Sequence, residues 1–162
     1  MNRGIRSRVC TPLGMVTLWV TPAGLGGLWF DDQAHVPALE DLGPLGRHAW
    51  LTQASEDLHA YFEGDSPAWD MPLDLSSGTP FQQGVWRELL RIDRGTTRTY
   101  GAIAQALGKP QSARAVGAAV GRNPLSIVVP CHRVLGANGA LTGYAGGLWR
   151  KVSLLKLEGQ PC

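Results

Sequence analysis

The stretch from Thr99 to Val120 restricts what this chain can fold into more than any other. Thr99 can cap a short helix, Tyr100 to Leu107, with Ile103 and Leu107 facing inward and Gly108 ending it. Lys109-Pro110-Gln111 leaves room only for a tight connection, and Ser112 is placed to cap a second helix through Val120. Two short helices joined by so brief a turn make a helix-turn-helix. The second helix is small at almost every position, with Ala113, Ala115, Gly117, Ala118 and Ala119, so its backbone can approach another surface closely. That surface is either a neighbouring core helix or a nucleic-acid groove. Arg114 in the first turn tilts the reading toward the groove, because helix-turn-helix proteins meet DNA through that end.

Around this motif the chain reads as two parts. Asp65 to Gly78 is rich in Pro, Asp and Ser and reads as a linker between an N-terminal domain, residues 1–78, and a C-terminal one, residues 79–162. At this length neither disulfides nor a metal are needed to complete a core. Upstream, the segment from Val9, Met15 to Val20 and Leu28 to Phe30 read as strands, with Thr21 to Gly27 as a turn-rich connection. From Ala49 the period becomes helical: Trp50, Ala54, Leu58 and Tyr61 form one stripe, flanked by Leu51 and Phe62 and stopped by Gly64.

Downstream, Thr79-Pro80 reads as an N-cap followed by proline at the first helical position, and Phe81, Val85, Leu89 and Ile92 supply a buried face up to Asp93-Arg94-Gly95. Ser126 to Val129 reads as a short buried strand stopped by Pro130, and Asn138-Gly139 as a hairpin turn. Gly143 to Gly147 reads as a flexible loop. A final helix, Leu148 to Leu157, places Arg150, Lys151 and Lys156 outside and Val152 and Leu155 inside.

Charge divides along the same line. Residues 1–80 carry 4 Lys and Arg against 10 Asp and Glu, a net −6, while residues 81–162 carry 11 against 3, a net +8. A basic half suggests either a polyanionic partner or a basic solvated face. The basic start, Met1 to Arg8, is followed by Thr, Pro and Gly rather than an apolar run, so a strand is expected there instead of a secretory signal, in a reducing cytoplasmic setting. No run is long enough to span a membrane.

Chemistry has few places to reside. Phosphate-loop and dinucleotide glycine motifs are missing, as is a nucleophile elbow, and no paired cysteines suggest zinc, so no cofactor and no metal are expected. What stands out is Pro130-Cys131-His132-Arg133. A thiol at the tip of a buried segment, with basic residues beside it, suits a nucleophile. Equally, an unpaired Cys after an apolar run can be core filler, and His132 a buried polar group. In a regular strand these neighbours would face opposite ways, so His132 can serve Cys131 only where the backbone bends.

Pro130-Cys131-His132-Arg133-Val134, with Asn123-Pro124 upstream and Thr142-Gly143-Tyr144-Ala145-Gly146-Gly147 downstream, closely resembles the O(6)-alkylguanine-DNA alkyltransferases. The resemblance runs from about Thr79 to Gly159 and takes in Phe81-Gln82-Gln83, Val85-Trp86 and Ala113-Arg114-Ala115-Val116-Gly117; the first 78 residues match only loosely. It implies an α+β chain, with a small ribonuclease-H-like N-terminal domain followed by a winged helix-turn-helix domain. It implies direct repair of double-stranded DNA containing alkylated guanine, in which a flipped base gives its alkyl group irreversibly to Cys131.

In the same resemblance His132 is the base acting through a water, Glu158 orients it, and Asn123 holds the turn before the nucleophile. Tyr100 and Arg114 handle the flipped nucleotide and the gap it leaves. Ser112, Ala113, Ala115, Gly117 and Arg133 fall on the DNA side, and Val134, Tyr144, Ala145 and Gly146 line the base pocket. Ala145 replaces a serine found in other members. The protein is expected to be monomeric in solution, with cooperative loading on DNA and activity on alkylated thymine left open. A lesion-binding relative without transfer and a cysteine hydrolase are the alternatives.

Overall fold

The computed structural model describes residues 4–160, so the first three residues of the basic start and Cys162 lie outside the described residues. The chain divides between Ser77 and Gly78 into two compact units. The whole is a mixed α+β fold, with one three-stranded antiparallel sheet and five α-helices among the described residues.

In the first unit β1 (Ile5–Thr11), β2 (Gly14–Thr21) and β3 (Gly24–Phe30) form an antiparallel meander, and α1 (Ala49–Phe62) packs against it. The glycine-rich connection expected after Thr21 is instead mostly strand. A Cβ on Gly26 would lie 2.9 Å from the Trp19 ring, and one on Gly27 would lie 2.0 Å from the Trp29 ring. These glycines are strand residues over which indoles lie, a packing role that sequence pattern reads as a turn. The edge of β3 is met by the segment expected as linker: Leu25 N–H donates to Pro72 O and Asp74 N–H to Leu25 O, each at 2.8 Å. Helix α1 buries Leu51, Ala54, Leu58 and Tyr61, while Trp50 and Phe62 stay half-buried. Its cap is the His48 ring, which accepts from Trp50 N–H through Nδ1.

In the second unit α2 (Pro80–Leu89) starts at Thr79, whose hydroxyl accepts from Gln82 N–H at 3.1 Å while Gln82 Oε1 accepts from Thr79 N–H at 3.0 Å. Such a reciprocal cap fixes the start of the helix. The helix ends at Leu89, so Ile92 is buried in the turn that follows rather than on its stripe. The two short helices are α3 (Tyr100–Ala106) and α4 (Ala113–Gly121). Thr99 caps α3 by accepting from Ala102 N–H, and Trp86 Nε1–H donates to Ala119 O at 2.8 Å, tying α2 to α4. A two-residue parallel pair, β4 (Arg98–Thr99) with β5 (Val134–Leu135), sets the start of α3 beside the residues following Arg133. Helix α5 (Leu148–Leu157) closes the unit.

Two local expectations change. Ser126 to Val129 is buried but turned, with Ile127 at φ 73° and Val129 N–H donating back to Leu125 O at 2.9 Å. The Asn123 amide takes the carbonyls of Leu125 (3.3 Å) and Val129 (2.8 Å), which a strand would offer to a neighbour. Asn138 and Gly139 do adopt the positive φ values, 61° and 76°, of a tight turn. No hairpin flanks that turn, because β5 pairs with β4 instead.

Candidate active site

Cys131 follows Pro130 into a 3-10 turn, Cys131–Arg133. This is the bend that a site shared by residues 131 and 132 requires, since successive side chains in such a turn do not alternate between opposite faces. Both side chains are buried, Cys131 at 4% exposure and His132 at 0%. Glu158, at the C-terminal end of α5, places Oε2 2.7 Å from His132 Nε2. A carboxylate can only accept, so Nε2 carries the hydrogen and Nδ1 presents a lone pair. Nδ1 is buried without a hydrogen-bond partner among the described residues. Burial pushes the His132 pKa down more strongly than Glu158 raises it, which keeps the ring neutral.

Arg133 turns inward. Its Nε donates to Glu158 Oε1 at 2.7 Å, Nη2 to Oε2 at 3.0 Å and Nη1 to Ile92 O at 2.6 Å. Its expected place on the DNA side is therefore corrected: the guanidinium is spent on the carboxylate that orients His132. A bidentate pair of this kind fixes the carboxylate plane.

Burial raises the Cys131 pKa, opposed by hydrogen bonding from Asn123, the Lys151 charge and hydrogen bonding from Tyr144. The resting group is thus a thiol set among groups that favour its thiolate. Asn123 also closes its own turn, with Oδ1 accepting from Leu125 N–H at 2.9 Å. Lys151 is missing from the sequence reading of the site and was expected outside. It is fully buried, donates to Thr142 O at 3.3 Å, and burial lowers its pKa against the attraction of Cys131. Arg150 is buried too, donating from Nη1 to Gly146 O at 2.8 Å with its guanidinium over the Trp149 ring. Residue type suggested solvent for both. The spacing Lys151, Leu154, Leu155, Glu158 is the signal that would have shown the inward face.

Beside these groups lies a pocket of about 260 Å³ lined by Tyr100, Gly117, Val120, Gly121 and the loop residues Gly143, Tyr144 and Ala145. Val134 and Gly146 are buried and, like Cys131, do not line this pocket. On α4, Val116, Ala119 and Val120 face the core, whereas Arg114, Ala115 and Ala118 are exposed; Ala113 and Gly117 are half-buried. The exposed Arg114 side chain makes no hydrogen bond or ion pair with other described residues. Ser112 holds the N-cap position, but its side chain makes no capping bond, because its backbone (φ −101°, ψ 23°) is not extended.

Residues 80–160 match the family described as 6-O-methylguanine DNA methyltransferase, DNA binding domain. A methylated-DNA–protein-cysteine methyltransferase of Mycolicibacterium paratuberculosis is 47% identical over 156 residues, covering 93% of this chain and 89% of that protein. One from Methanosarcina acetivorans is 56% identical over 110 residues, 68% of this chain and 70% of that protein. Among solved structures, that of Mycobacterium tuberculosis OGT in complex with DNA superposes with a TM-score of 0.85 at 44% identity, covering 95% of this chain and 92% of that one.

Proposed function

The chain belongs to the methylated-DNA–protein-cysteine methyltransferase family, and on that premise we propose how its site carries out the chemistry. The protein repairs DNA by direct reversal, moving an alkyl group from O(6) of guanine onto its own cysteine, Cys131. The observation that carries the mechanism is the buried Glu158–His132 pair at 2.7 Å, which leaves an unpartnered Nδ1 lone pair on the residue that follows the buried Cys131.

A water held at His132 Nδ1 takes the Cys131 proton as the sulfur attacks the alkyl carbon. The carbon–oxygen bond breaks, its electron pair returns to the guanine, and a ring nitrogen of that base gains a proton, so the proton lost by the thiol is balanced. Glu158, held by Arg133, stabilises the imidazolium that forms in passing, as in other relays of a nucleophile, a histidine and a carboxylate. Lys151 and the Asn123 amide stabilise the developing thiolate. The thioether product has no good leaving group, so each molecule acts once. No cofactor enters these steps.

The target lies inside a duplex and must be extruded at a cost of a few kcal/mol. The exposed Arg114, on the face of α4 that also bears Ala115 and Ala118, is placed to fill the gap in the stack while the small helix lies along a groove. Ser112, Ala113 and Gly117 bring backbone rather than long side chains to that surface. Tyr100, Tyr144 and Ala145 line the receiving pocket. The α3–α4 pair with the β4–β5 ladder supports a winged helix-turn-helix, and the three-stranded meander backed by α1 supports a ribonuclease-H-like N-terminal unit. The test is mass spectrometry after mixing the protein with methylated duplex. A permanent methyl on the Cys131 peptide at one equivalent per protein is expected; intact substrate, or repeated turnover with an unmodified Cys131, overturns the mechanism.

A further inference from the structure

We propose that Thr142 is a positioning residue that aims the Tyr100 phenol at the base in the pocket, an inference that rests on the alkyl-transfer reading above. Thr142 stands at the start of the pocket loop and is held at three points. Its Oγ1 lies 3.0 Å from the Tyr100 hydroxyl. Its carbonyl accepts from the buried Lys151 ammonium at 3.3 Å. Its methyl packs over Gly136, where an added Cβ would come within 2.8 Å of Thr142 Cγ2. The methyl contact and the carbonyl bond fix the residue from two sides, so the direction of its hydroxyl is set before any ligand arrives.

Tyr100 needs such a tie. Its ring lies along Gly117, where an added Cβ would be 3.8 Å from Cδ1, and its oxygen is a rotor with one hydrogen to give. When that hydrogen is given to a base in the pocket, the Thr142 hydroxyl must be the donor in the pair at 3.0 Å. A phenol that accepts a hydrogen bond is the stronger donor in turn, because bonds in a chain polarise one another. Thr142 also bonds Lys151, whose charge faces Cys131, so one residue links the group that holds the base to one that steadies the sulfur.

The experiment measures the single-turnover rate of transfer to Cys131 at saturating methylated duplex, with DNA affinity measured separately. Thr142→Val keeps the methyl that packs on Gly136 and removes only the hydroxyl. It should slow transfer about five- to tenfold, the loss typical of one neutral hydrogen bond, while DNA affinity and melting temperature stay within error. Thr142→Ser restores the hydroxyl and should recover the rate to within about threefold. In a Tyr100→Phe background Thr142→Val should cost nothing more, because the phenol it positions is gone. A wild-type rate for Thr142→Val, full additivity with Tyr100→Phe, or Thr142→Ser as slow as Thr142→Val overturns the proposal while Cys131 labelling still stands. A wild-type protein that leaves Cys131 unlabelled overturns the alkyl-transfer reading itself.

Discussion

Lys151 is an unfavourable residue for stability and a useful one for chemistry. A buried ammonium gives up its hydration, and its recorded hydrogen bond is to the Thr142 carbonyl. Apolar replacement of such a group commonly leaves a fold as stable or makes it more so. Thr142 and Cys131 are its neighbours, so Lys151→Met should hold or raise the melting temperature while slowing alkyl transfer at neutral pH by roughly tenfold, because the attacking sulfur loses the positive charge that favours it. Parallel melts and single-turnover rates check this; a loss of stability with unchanged rate would make Lys151 purely structural. His132 gives a prediction in pH. Its folded pKa lies below the ordinary value, so as pH falls through about 6.5 the unfolded chain takes up a proton that the folded one refuses. Stability should therefore decline below that point, whereas the neutral ring still serves as base there. Transfer at pH 6.5 should match that at pH 7.5, and a rate already halved at 6.5 would mean that the relay titrates like an ordinary imidazole, against the depressed pKa of His132.

At the scale of elements, α4 has two faces with different tasks. Val116, Ala119 and Val120 anchor it, and Arg114 projects from its exposed first turn. Arg114→Ala should weaken repair of duplex DNA by tenfold or more yet leave reaction with free alkylguanine base unchanged, because the free base needs no extrusion. Equal losses on both substrates would place Arg114 in the chemistry. The sequence shows α3, α4 and the bounds of α5 because caps, glycine stops and periodicity are local signals. Residue type hides the burial of Arg150 and Lys151 although the spacing of α5 marks its inward side, because their acceptors at Gly146 and Thr142 and the Cys131 sulfur are brought to them only by the fold. The same limit hid the turn at Ser126–Val129, where Asn123 outcompetes strand pairing, and the strand at Gly24–Gly27, where indoles replace missing side chains. Within the site, Cys131 and His132 stand out by type and adjacency. Arg133 misleads, because whether an arginine meets a phosphate or a buried carboxylate depends on the fold around it.

For the molecule as a whole, the reaction is a permanent change in its own core. Cys131 is buried in a unit whose interior includes Val129, Val134, Leu154 and Leu155. A methyl on sulfur adds volume to a place already filled, and overpacking of that size costs roughly 1–3 kcal/mol. It also removes the thiol hydrogen from the path to His132 and the thiolate that Lys151 would steady. Strain at Cys131 passes to the Asn123 turn, which lies between the end of α4 at Gly121 and the nucleophile, so the helix that carries Arg114 and the reacted sulfur are joined by a few residues. For a chain of this length each kcal/mol lowers the melting temperature by about 2–4 °C. Methylated protein, verified by mass as fully converted at Cys131, should melt several degrees below the unreacted form and release duplex DNA faster. Two units can melt in separate transitions, and the shift should then be confined to the one that contains Cys131. An unchanged melting profile on fully converted protein would mean that the pocket vacated by the guanine accommodates the methyl without strain, and the link from reaction to release would fail with it.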